Sequence, residues 1–460
     1  MDRLQQITLE ECDAAYGQWL SYGGQAPRYG GRLSRHVKDG NKGIERLKFD
    51  NSAVAMNLWN FLLTEEERLR EARSAGKKLI GTMKDLGTLP VMVYAHPGLV
   101  AFYPDGAWWI PCLMDENDRL LEVADQLGVD GTFCPVRAML AVFVTGDHFP
   151  APDMLICSVG ATCDDFSAIA QRVEGLGNPI LWWELPHRRA LGHDETGIEL
   201  PGGACAAKDQ IDFVKDEMTR IIRVMADTVG ASVTDDMIVH GISEANKVRA
   251  CLAELRLTIF TADIAPLPAL ELLVAEMMAI HFCSDRDEVL VVLSGLLELV
   301  QQRVAAGVGY LGPDSVRVFW INPVADLRVM NMLEECGGRI CGTEYLFTHA
   351  LDQIPTHIPP REALARMALA DPMAGAAQDR ARRICADIKR FGSEAVIISR
   401  IPGASHCALE GVVIKETIRS IFDIPVVEIE VPPVSDTFQA SLRTRLSALI
   451  EIAKGQRKRK

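Results

Sequence analysis

The sequence predicts an α/β protein with two flavodoxin-like, Rossmann-type parallel-sheet lobes joined by a helical segment. Short apolar runs such as residues 153–159 and 180–184 alternate with helical runs such as residues 166–174, and the same alternation returns after residue 315. This alternation is typical of a parallel sheet that helices cover on both faces. Residues 207–305 instead carry apolar residues at three- and four-residue spacing, which predicts a set of helices.

This pattern divides the chain into four parts. Residues 1–75 form a mixed, mostly helical N-terminal extension, residues 76–205 the first α/β lobe, residues 206–312 the helical connector and residues 313–460 the second α/β lobe. In the first lobe, strands are predicted at residues 91–94, 153–159 and 180–184, and helices at 117–127, 135–144 and 166–174. In the second lobe, strands are predicted at residues 316–321, 338–341, 395–399 and 425–431, and helices at 325–336, 378–390, 409–421 and 437–454.

Composition narrows the class of protein. A chain of 460 residues with 48% hydrophobic and 24% charged residues is ordinary for a globular protein of two or three domains. The net charge of −14 argues against nucleic acid as a partner. Residues 1–11 lack the apolar core of a secretory signal, and no apolar run reaches the roughly 20 residues of a membrane span. The 12 cysteines have no compact spacing, so we expect a reduced, cytoplasmic protein.

Three cysteines stand where a loop turns into a predicted helix: Cys134, Cys163 and Cys407. Cys134 precedes a proline, Cys163 precedes two aspartates, and Cys407 precedes an amphipathic stretch. A helix N-terminus carries partial positive charge and free N–H groups, so it lowers a thiol pKa and stabilises an anionic cluster. Three such thiolates can hold an iron–sulfur core with one iron open, or a zinc ion with a bound water, as in a hydrolase.

A second group of residues is of interest because of its surroundings. His406 lies beside Cys407 and is a candidate proton donor, although adjacent side chains usually point in different directions. Trp108, Trp109 and Cys112 belong to an aromatic-rich segment that either lines a flat apolar pocket or packs as a corner of the core. Arg188 and Arg189 are candidates for contacts with phosphate groups or for surface salt bridges.

Two other motifs carry little functional information. Residues 307–312 match G-x-G-x-x-G, but they follow a helix and lead to a strand, so the glycines are expected to end that helix. Cys336 and Cys341 have a spacing found in ferredoxins, but the third cysteine is missing and both are expected to be core thiols. No G-x-x-x-x-G-K-[ST] motif occurs, so an ATP-driven step would need another subunit.

The surroundings of the three cysteines resemble the 2-hydroxyacyl-CoA dehydratase and benzoyl-CoA reductase superfamily. The resemblance is carried by TFCPVR at residues 132–137, GATCD at 160–164 and HCALE at 406–410. IPVVEIE at residues 424–430 and QASLRTR at 439–445 are similar to the family's last strand and helix, with Ser441 and Leu442 lengthening the second motif. Residues 316–321 with LEECGGRI at 333–340 resemble a strand–helix–strand unit of the family.

The resemblance implies a [4Fe-4S] cluster between two lobes, held by Cys134, Cys163 and Cys407. It also implies a heterodimer with a homologous cluster-binding subunit, an ATP-hydrolysing iron–sulfur activase, a ferredoxin upstream and an acyl-CoA substrate. The implied chemistry is a one-electron reduction of the thioester carbonyl to a ketyl radical anion.

Within the superfamily we favour a subunit of a benzoyl-CoA reductase, an oxidoreductase of CH–CH groups used in anaerobic aromatic degradation. The long chain and the Trp- and Phe-rich first lobe suit a planar aryl-CoA. A subunit of a radical 2-hydroxyacyl-CoA dehydratase is the alternative. A non-catalytic subunit that only relays electrons remains open, as does a zinc-dependent hydrolase built on the same cysteines.

Overall fold

Two four-stranded parallel sheets organise the chain. The computed structural model describes residues 3–21, 28–37, 43–104, 117–281, 283–433 and 436–459, with only the backbone for residues 117, 281 and 405–408. The first sheet contains β1 (Lys78–Met83), β2 (Leu99–Phe102), β3 (Met154–Gly160) and β4 (Ile180–Leu185). A two-stranded hairpin follows, formed by β5 (Ile198–Glu199) and β6 (Cys205–Ala206). The second sheet contains β7 (Val316–Ile321), β8 (Gly338–Glu344), β9 (Ala395–Arg400) and β10 (Val426–Glu430).

The two sheets have the same strand order. The first is β2-β1-β3-β4, and the second, read from its other edge, is β8-β7-β9-β10, with all neighbours parallel. In each lobe the second strand therefore lies on one side of the first strand, and the third and fourth strands lie on its other side. The point where the chain crosses from one side to the other is the topological switch point. Ligands bind at such a switch point, beyond the carboxyl ends of the strands. The predicted fold class of two flavodoxin-like lobes is confirmed.

Helices surround both sheets and fill the segment between them. The α-helices of the described residues are α1 (Leu9–Ser21), α2 (Ala53–Leu63), α3 (Glu65–Ser74), α4 (Leu89–Tyr94), α5 (Asn117–Gln126), α6 (Ala138–Thr145), α7 (Asp164–Gly175), α8 (Lys208–Val229), α9 (Asp235–Thr261), α10 (Ala269–His281), α11 (Arg286–Ala306), α12 (Arg328–Glu335), α13 (Pro360–Leu369), α14 (Ala377–Phe391), α15 (Ser405–Ile421) and α16 (Asp436–Arg457). Short 3₁₀ helices occur at Leu33–His36, Ile44–Arg46, Pro135–Arg137, Pro201–Gly203, Thr348–Leu351 and Pro372–Ala374.

The strand predicted at residues 91–94 is wrong, because these residues form the end of α4. The Asp85 carboxylate accepts hydrogen bonds from the N–H groups of Thr88 and Leu89, which fixes the start of this helix. All six residues of α4 are buried, so their apolar run has no polar side from which a period could be read. The strands that were missed are β1, β2, β5 and β6, and α13 was missed as well.

Helix α11 is long and apolar enough to cross a membrane by length and composition. Its side chains Val289, Leu293 and Leu296 are buried in the protein core, and Arg303 forms an ion pair with the buried Asp50. It is therefore a core helix of the connector. Its end confirms the prediction for the glycine motif, since Gly307 caps the helix in the left-handed conformation.

A buried polar cluster fastens the N-terminal extension to the connector. The Asp50 carboxylate accepts hydrogen bonds from Arg303 Nη1 at 2.5 Å and from the Tyr310 hydroxyl at 3.0 Å. Glu271 Oε1 accepts from the Asp50 N–H at 2.9 Å and from Trp59 Nε1 at 3.0 Å. Burial, and then the charge of Asp50, raise the pKa of Glu271 to about 8. This attachment is therefore sensitive to pH.

Candidate functional site

The switch points of the two lobes carry equivalent features. Lys84 follows β1 with φ of 68°, and Asn322 follows β7 with φ of 73°. Left-handed backbone at non-glycine residues is costly and is often found at functional sites. Cys163 begins the helix after β3, and Cys407 lies in the first turn of the helix after β9. The structure therefore places these two cysteines at equivalent positions of two equivalent sheets, which no repeat in the sequence had indicated.

Cys163 is partly buried at the start of α7, among polar side chains. Its Sγ lies 3.6 Å from Asp165 Oδ2, and the Lys84 ammonium, which donates to Ser167 Oγ at 2.8 Å, lies nearby. The pKa of the Cys163 thiol is raised to about 12, first by burial and then by Asp165, against the lowering effect of the Phe166 and Asp165 N–H groups and of Lys84. The free thiol therefore keeps its proton, which a bound metal ion would displace.

Cys134 is buried at the start of the 3₁₀ helix Pro135–Arg137, with a proline in the first helical turn. This short helix packs against α7, so the helix starts that carry Cys134 and Cys163 belong to neighbouring elements. Arg137 fixes the preceding loop, because its Nη1 donates to the Phe133 carbonyl at 3.2 Å and its Nε to Asp125 Oδ1 at 3.4 Å. Two of the three predicted ligands are thus held by rigid local structure.

The loop before Cys407 contacts the loop before Cys134. Gly403 has φ of 82°, and a Cβ built on it would overlap the carbonyl oxygen of Phe133, with 2.7 Å to the carbonyl carbon and 3.2 Å to the Cys134 nitrogen. The two backbones therefore touch four residues before Cys407. The side chains of Cys407 and His406 lie outside the described residues, and so do Trp108, Trp109 and Cys112. Among the described side chains, no set of three or more His, Cys, Asp or Glu residues is arranged to hold a metal ion.

The chemistry of the described residues fits an anionic, thiolate-held metal centre. Two thiols lie at the starts of packed helices, where backbone N–H groups and the helix dipole favour negative charge. Lys84 is 2% exposed and contributes a positive charge near Cys163. Sequence reasoning did not identify Lys84, because nothing in the residues around it marks the end of β1 as part of the site.

Asp371 is a further residue that sequence reasoning missed. It caps the 3₁₀ helix Pro372–Ala374, and burial raises its pKa to about 8. His349 Nε2 lies 3.8 Å from its Oδ2. In chain order Asp371 has the place in the second lobe that Cys134 has in the first, since each precedes a proline-led 3₁₀ helix that leads to the helix before the third strand. The shared X-Pro step at these two places was the available signal.

The fold and the site define a class of two-lobed α/β proteins with cysteine-bearing helix starts at the switch points. Residues 92–453 match the family model described as 2-hydroxyglutaryl-CoA dehydratase, D-component, and the chain belongs to this family. The match supports the superfamily indicated by the sequence motifs and an enzymatic role within it. No curated protein matches the chain.

Proposed function

We propose that the chain is a subunit of an ATP-dependent benzoyl-CoA reductase and carries a [4Fe-4S] cluster on Cys134, Cys163 and Cys407. The observation that carries this proposal is that the Cys134 segment packs against both the helix that Cys163 begins and the loop before Cys407. The 3₁₀ helix after Cys134 packs on α7, and Gly403 lies against the Phe133 peptide. Family membership supports the acyl-CoA chemistry.

The residues around the proposed cluster divide into those that stabilise its charge and those that supply protons. When bound, the cluster would supply single electrons at low potential to the thioester of the substrate. The N–H groups of Asp165 and Phe166, together with the Lys84 ammonium, stabilise the negative charge on the sulfur of Cys163. His406 delivers a proton to the reduced substrate. Asp371, with a pKa of about 8, holds a second proton on its carboxyl group at neutral pH.

Substrate and partner contacts complete the proposal. Trp108, Trp109 and Cys112 line the pocket for the aryl group. A homologous cluster-binding subunit forms the heterodimer, and an iron–sulfur activase supplied by ferredoxin delivers the electrons. Leu409 and Val412, which follow Cys407 on α15, are 76% and 54% exposed, so this helix offers apolar side chains to such a partner.

A second candidate function is supported by the description of the matched family. In a 2-hydroxyacyl-CoA dehydratase the same site would reduce the thioester and the hydroxyl group would leave from the substrate. The cysteine geometry is shared by both reactions, so the substrate assay decides between them. An electron-relay subunit without its own substrate, and a zinc hydrolase, are further outcomes of the tests below.

The first test is metal analysis on protein purified without oxygen together with its partner subunit. We expect about four iron and four sulfide per chain. Cys163→Ala should lose most of this iron, whereas Cys251→Ala, a half-buried cysteine of α9, should keep it. Stoichiometric zinc without sulfide would contradict the cluster, and normal iron in the Cys163 variant would contradict the assignment of Cys163 as a ligand.

The second test is turnover with activase, ATP and a low-potential donor. Benzoyl-CoA and 2-hydroxyglutaryl-CoA are compared on the same preparation. Reduction of benzoyl-CoA to a cyclic diene supports the favoured branch, while water loss from 2-hydroxyglutaryl-CoA establishes the dehydratase. If neither is converted although the cluster is reduced and reoxidised, the result contradicts both assignments and favours a relay subunit.

A further inference from the structure

Helix α9 of the connector makes close contacts with both lobes. In the first lobe it lies against α4, where a Cβ on Gly241 would be 2.7 Å from the Val91 carbonyl oxygen. In the second lobe the Asn246 side chain binds the backbone of Ile354, accepting from its N–H at 2.8 Å and donating to its carbonyl at 2.9 Å. One helix of the connector therefore holds segments of both lobes.

Arg249 of the same helix is completely buried, and its guanidinium group binds backbone carbonyls of both lobes. Its Nη2 donates to the Gly87 carbonyl at 2.7 Å, in the loop after β1. Its Nη1 donates to the carbonyls of Asp352 at 2.7 Å and His349 at 3.3 Å, at the end of the 3₁₀ helix after β8. Among the described residues, its remaining acceptor is the Met367 sulfur, at 3.5 Å. Arg249 therefore joins the two loops directly.

The two loops also touch each other at Gly87. This residue has φ of 112°, and a Cβ on it would lie 2.7 Å from the Ala350 Cβ and 3.3 Å from Arg249 Nη2. The Gly87 N–H donates to the Tyr103 hydroxyl at 2.6 Å. The Gly87 backbone is thus fixed at its N–H and at its carbonyl, in a conformation and a space that suit a residue without a side chain.

The loop that Arg249 holds also carries Lys84. Lys84 is buried, its ammonium donates to Ser167 Oγ at 2.8 Å, and its backbone is left-handed with φ of 68°. Such a conformation persists at a non-glycine residue where the surrounding structure holds it in place. Two residues separate Lys84 from Gly87, so a shift of the Gly87 peptide is passed on to Lys84.

We propose that Arg249 is a positioning residue, which clamps the loop after β1 to the 3₁₀ helix after β8 and thereby holds the Lys84 ammonium near Cys163. The inference rests on the proposed function in that Lys84 is taken to stabilise the charge of a cluster at Cys163. A planar guanidinium group suits this task, because its fixed donors can bind carbonyls on two sides at once. The same clamp supports His349, whose Nε2 lies 3.8 Å from Asp371 Oδ2.

The experiment is amine labelling of the full chain, purified without oxygen, with an N-hydroxysuccinimide ester and mass spectrometry. The labelling rate of buried Lys84 is measured relative to that of exposed Lys77. Arg249→Met should raise this ratio about tenfold, the factor that corresponds to the loss of one hydrogen bond to a charged group. Arg256→Met is the matched control on α9, because Arg256 binds the buried Glu276 and the Thr343 carbonyl. It should destabilise the chain and leave the Lys84 ratio unchanged.

A second pair of variants disturbs the same contact and leaves the charge of Arg249 in place. Gly87→Ala forces the loop away from Ala350, whereas Gly76→Ala, at φ of 81° with nothing within 4 Å, has the backbone strain alone. Lys84 labelling should rise in Gly87→Ala and stay low in Gly76→Ala. In cluster-loaded protein, Gly87→Ala should lower the reduction potential, and it should have no further effect when Lys84→Met is already present.

The outcomes separate a positioning role from general stability and from the cluster itself. Equal Lys84 labelling in Arg249→Met and Arg256→Met, or a protected Lys84 in Gly87→Ala, overturns the role of Arg249. A potential shift in Gly87→Ala that persists with Lys84→Met overturns the route through Lys84. If Arg249→Met does not fold, the two glycine variants decide. Protein that never holds iron but shows the expected labelling refutes the cluster and keeps the clamp, and cluster-loaded protein without the labelling change does the reverse.

Discussion

Replacing Gly403 with alanine tests the contact that brings the Cys407 loop to the Cys134 loop. With φ of 82°, the residue is in the left-handed region, where a Cβ costs about 1 kcal/mol. The new Cβ would also lie 2.7 Å from the Phe133 carbonyl carbon and 3.2 Å from the Cys134 nitrogen, well inside the roughly 3.5–4.0 Å of an optimal contact. Both neighbours are backbone, so the loops must separate, which adds about 2 kcal/mol.

Gly230 provides a matched control for this substitution. It ends α8 with φ of 71°, and a Cβ on it meets nothing within 4 Å. Gly230→Ala should lose about 1 kcal/mol of unfolding free energy in urea and keep its iron. Gly403→Ala should lose about 3 kcal/mol and most of its iron and sulfide. If Gly403→Ala kept normal iron and were no less stable than the control, the argument that this contact assembles the site would fail.

Three other substitutions test separate parts of the structure. Glu271 has a pKa of about 8 in the folded protein, against a usual value of 4.5, so the folded protein binds this proton more tightly than the unfolded chain does. The free energy of unfolding therefore contains the full contribution of this proton below pH 4.5 and loses it as the pH rises through 8. Glu271→Gln should therefore flatten the fall of melting temperature between pH 5 and 8.5, removing on the order of 4 kcal/mol of pH dependence. Arg380→Met leaves two paired glutamates without their buried cation and should cost about 3–5 kcal/mol in urea unfolding, whereas exposed Arg382→Met should change it by less than about 0.5. Lys84→Met removes a positive charge near the proposed cluster and should lower its reduction potential in an anaerobic EPR titration. Lys415→Met, at a half-exposed ion pair on α15, should leave the potential unchanged, and equal shifts in both would refute the role of Lys84.

Local sequence signals predicted the elements that have a clear start and a regular period. Cys163 caps α7 as its two following aspartates indicated, and Gly307 ends α11 as its place after an amphipathic run indicated. The failure at residues 91–94 has the opposite cause. All of their side chains are buried, so the sequence shows no alternation of apolar and polar residues from which a helix could be told from a strand. The hydrogen bond that starts the helix comes from the Asp85 carboxylate in the preceding loop.

The candidate site itself was only partly predictable, because its contacts join distant parts of the chain. The helix-start context identified Cys134 and Cys163 from their neighbours in sequence. No local signal connects Gly403 with Phe133, or Lys84 with Cys163, since these residues come near each other only when the strands of each sheet pair and the lobes pack. The cavity of about 700 Å³ that is lined by arginines of both lobes was missed for the same reason. Arg188 and Arg189 were noted as a pair, but Arg382 and Arg383 come from a helix nearly two hundred residues later.

The two lobes are equivalent in topology but differ in the chemistry at their equivalent positions. Both third strands lead to a helix with a cysteine at its start, since Cys163 is the N-cap of α7 and Cys407 lies in the first turn of α15. The proline-led 3₁₀ helices differ, because one is preceded by Cys134 and the other by Asp371. Of the four matching helix starts, three therefore carry a thiol and one carries a carboxyl group with a raised pKa. Under the proposed function, this asymmetry explains why three thiolates bind the cluster and the fourth position is left to a group that can hold a proton.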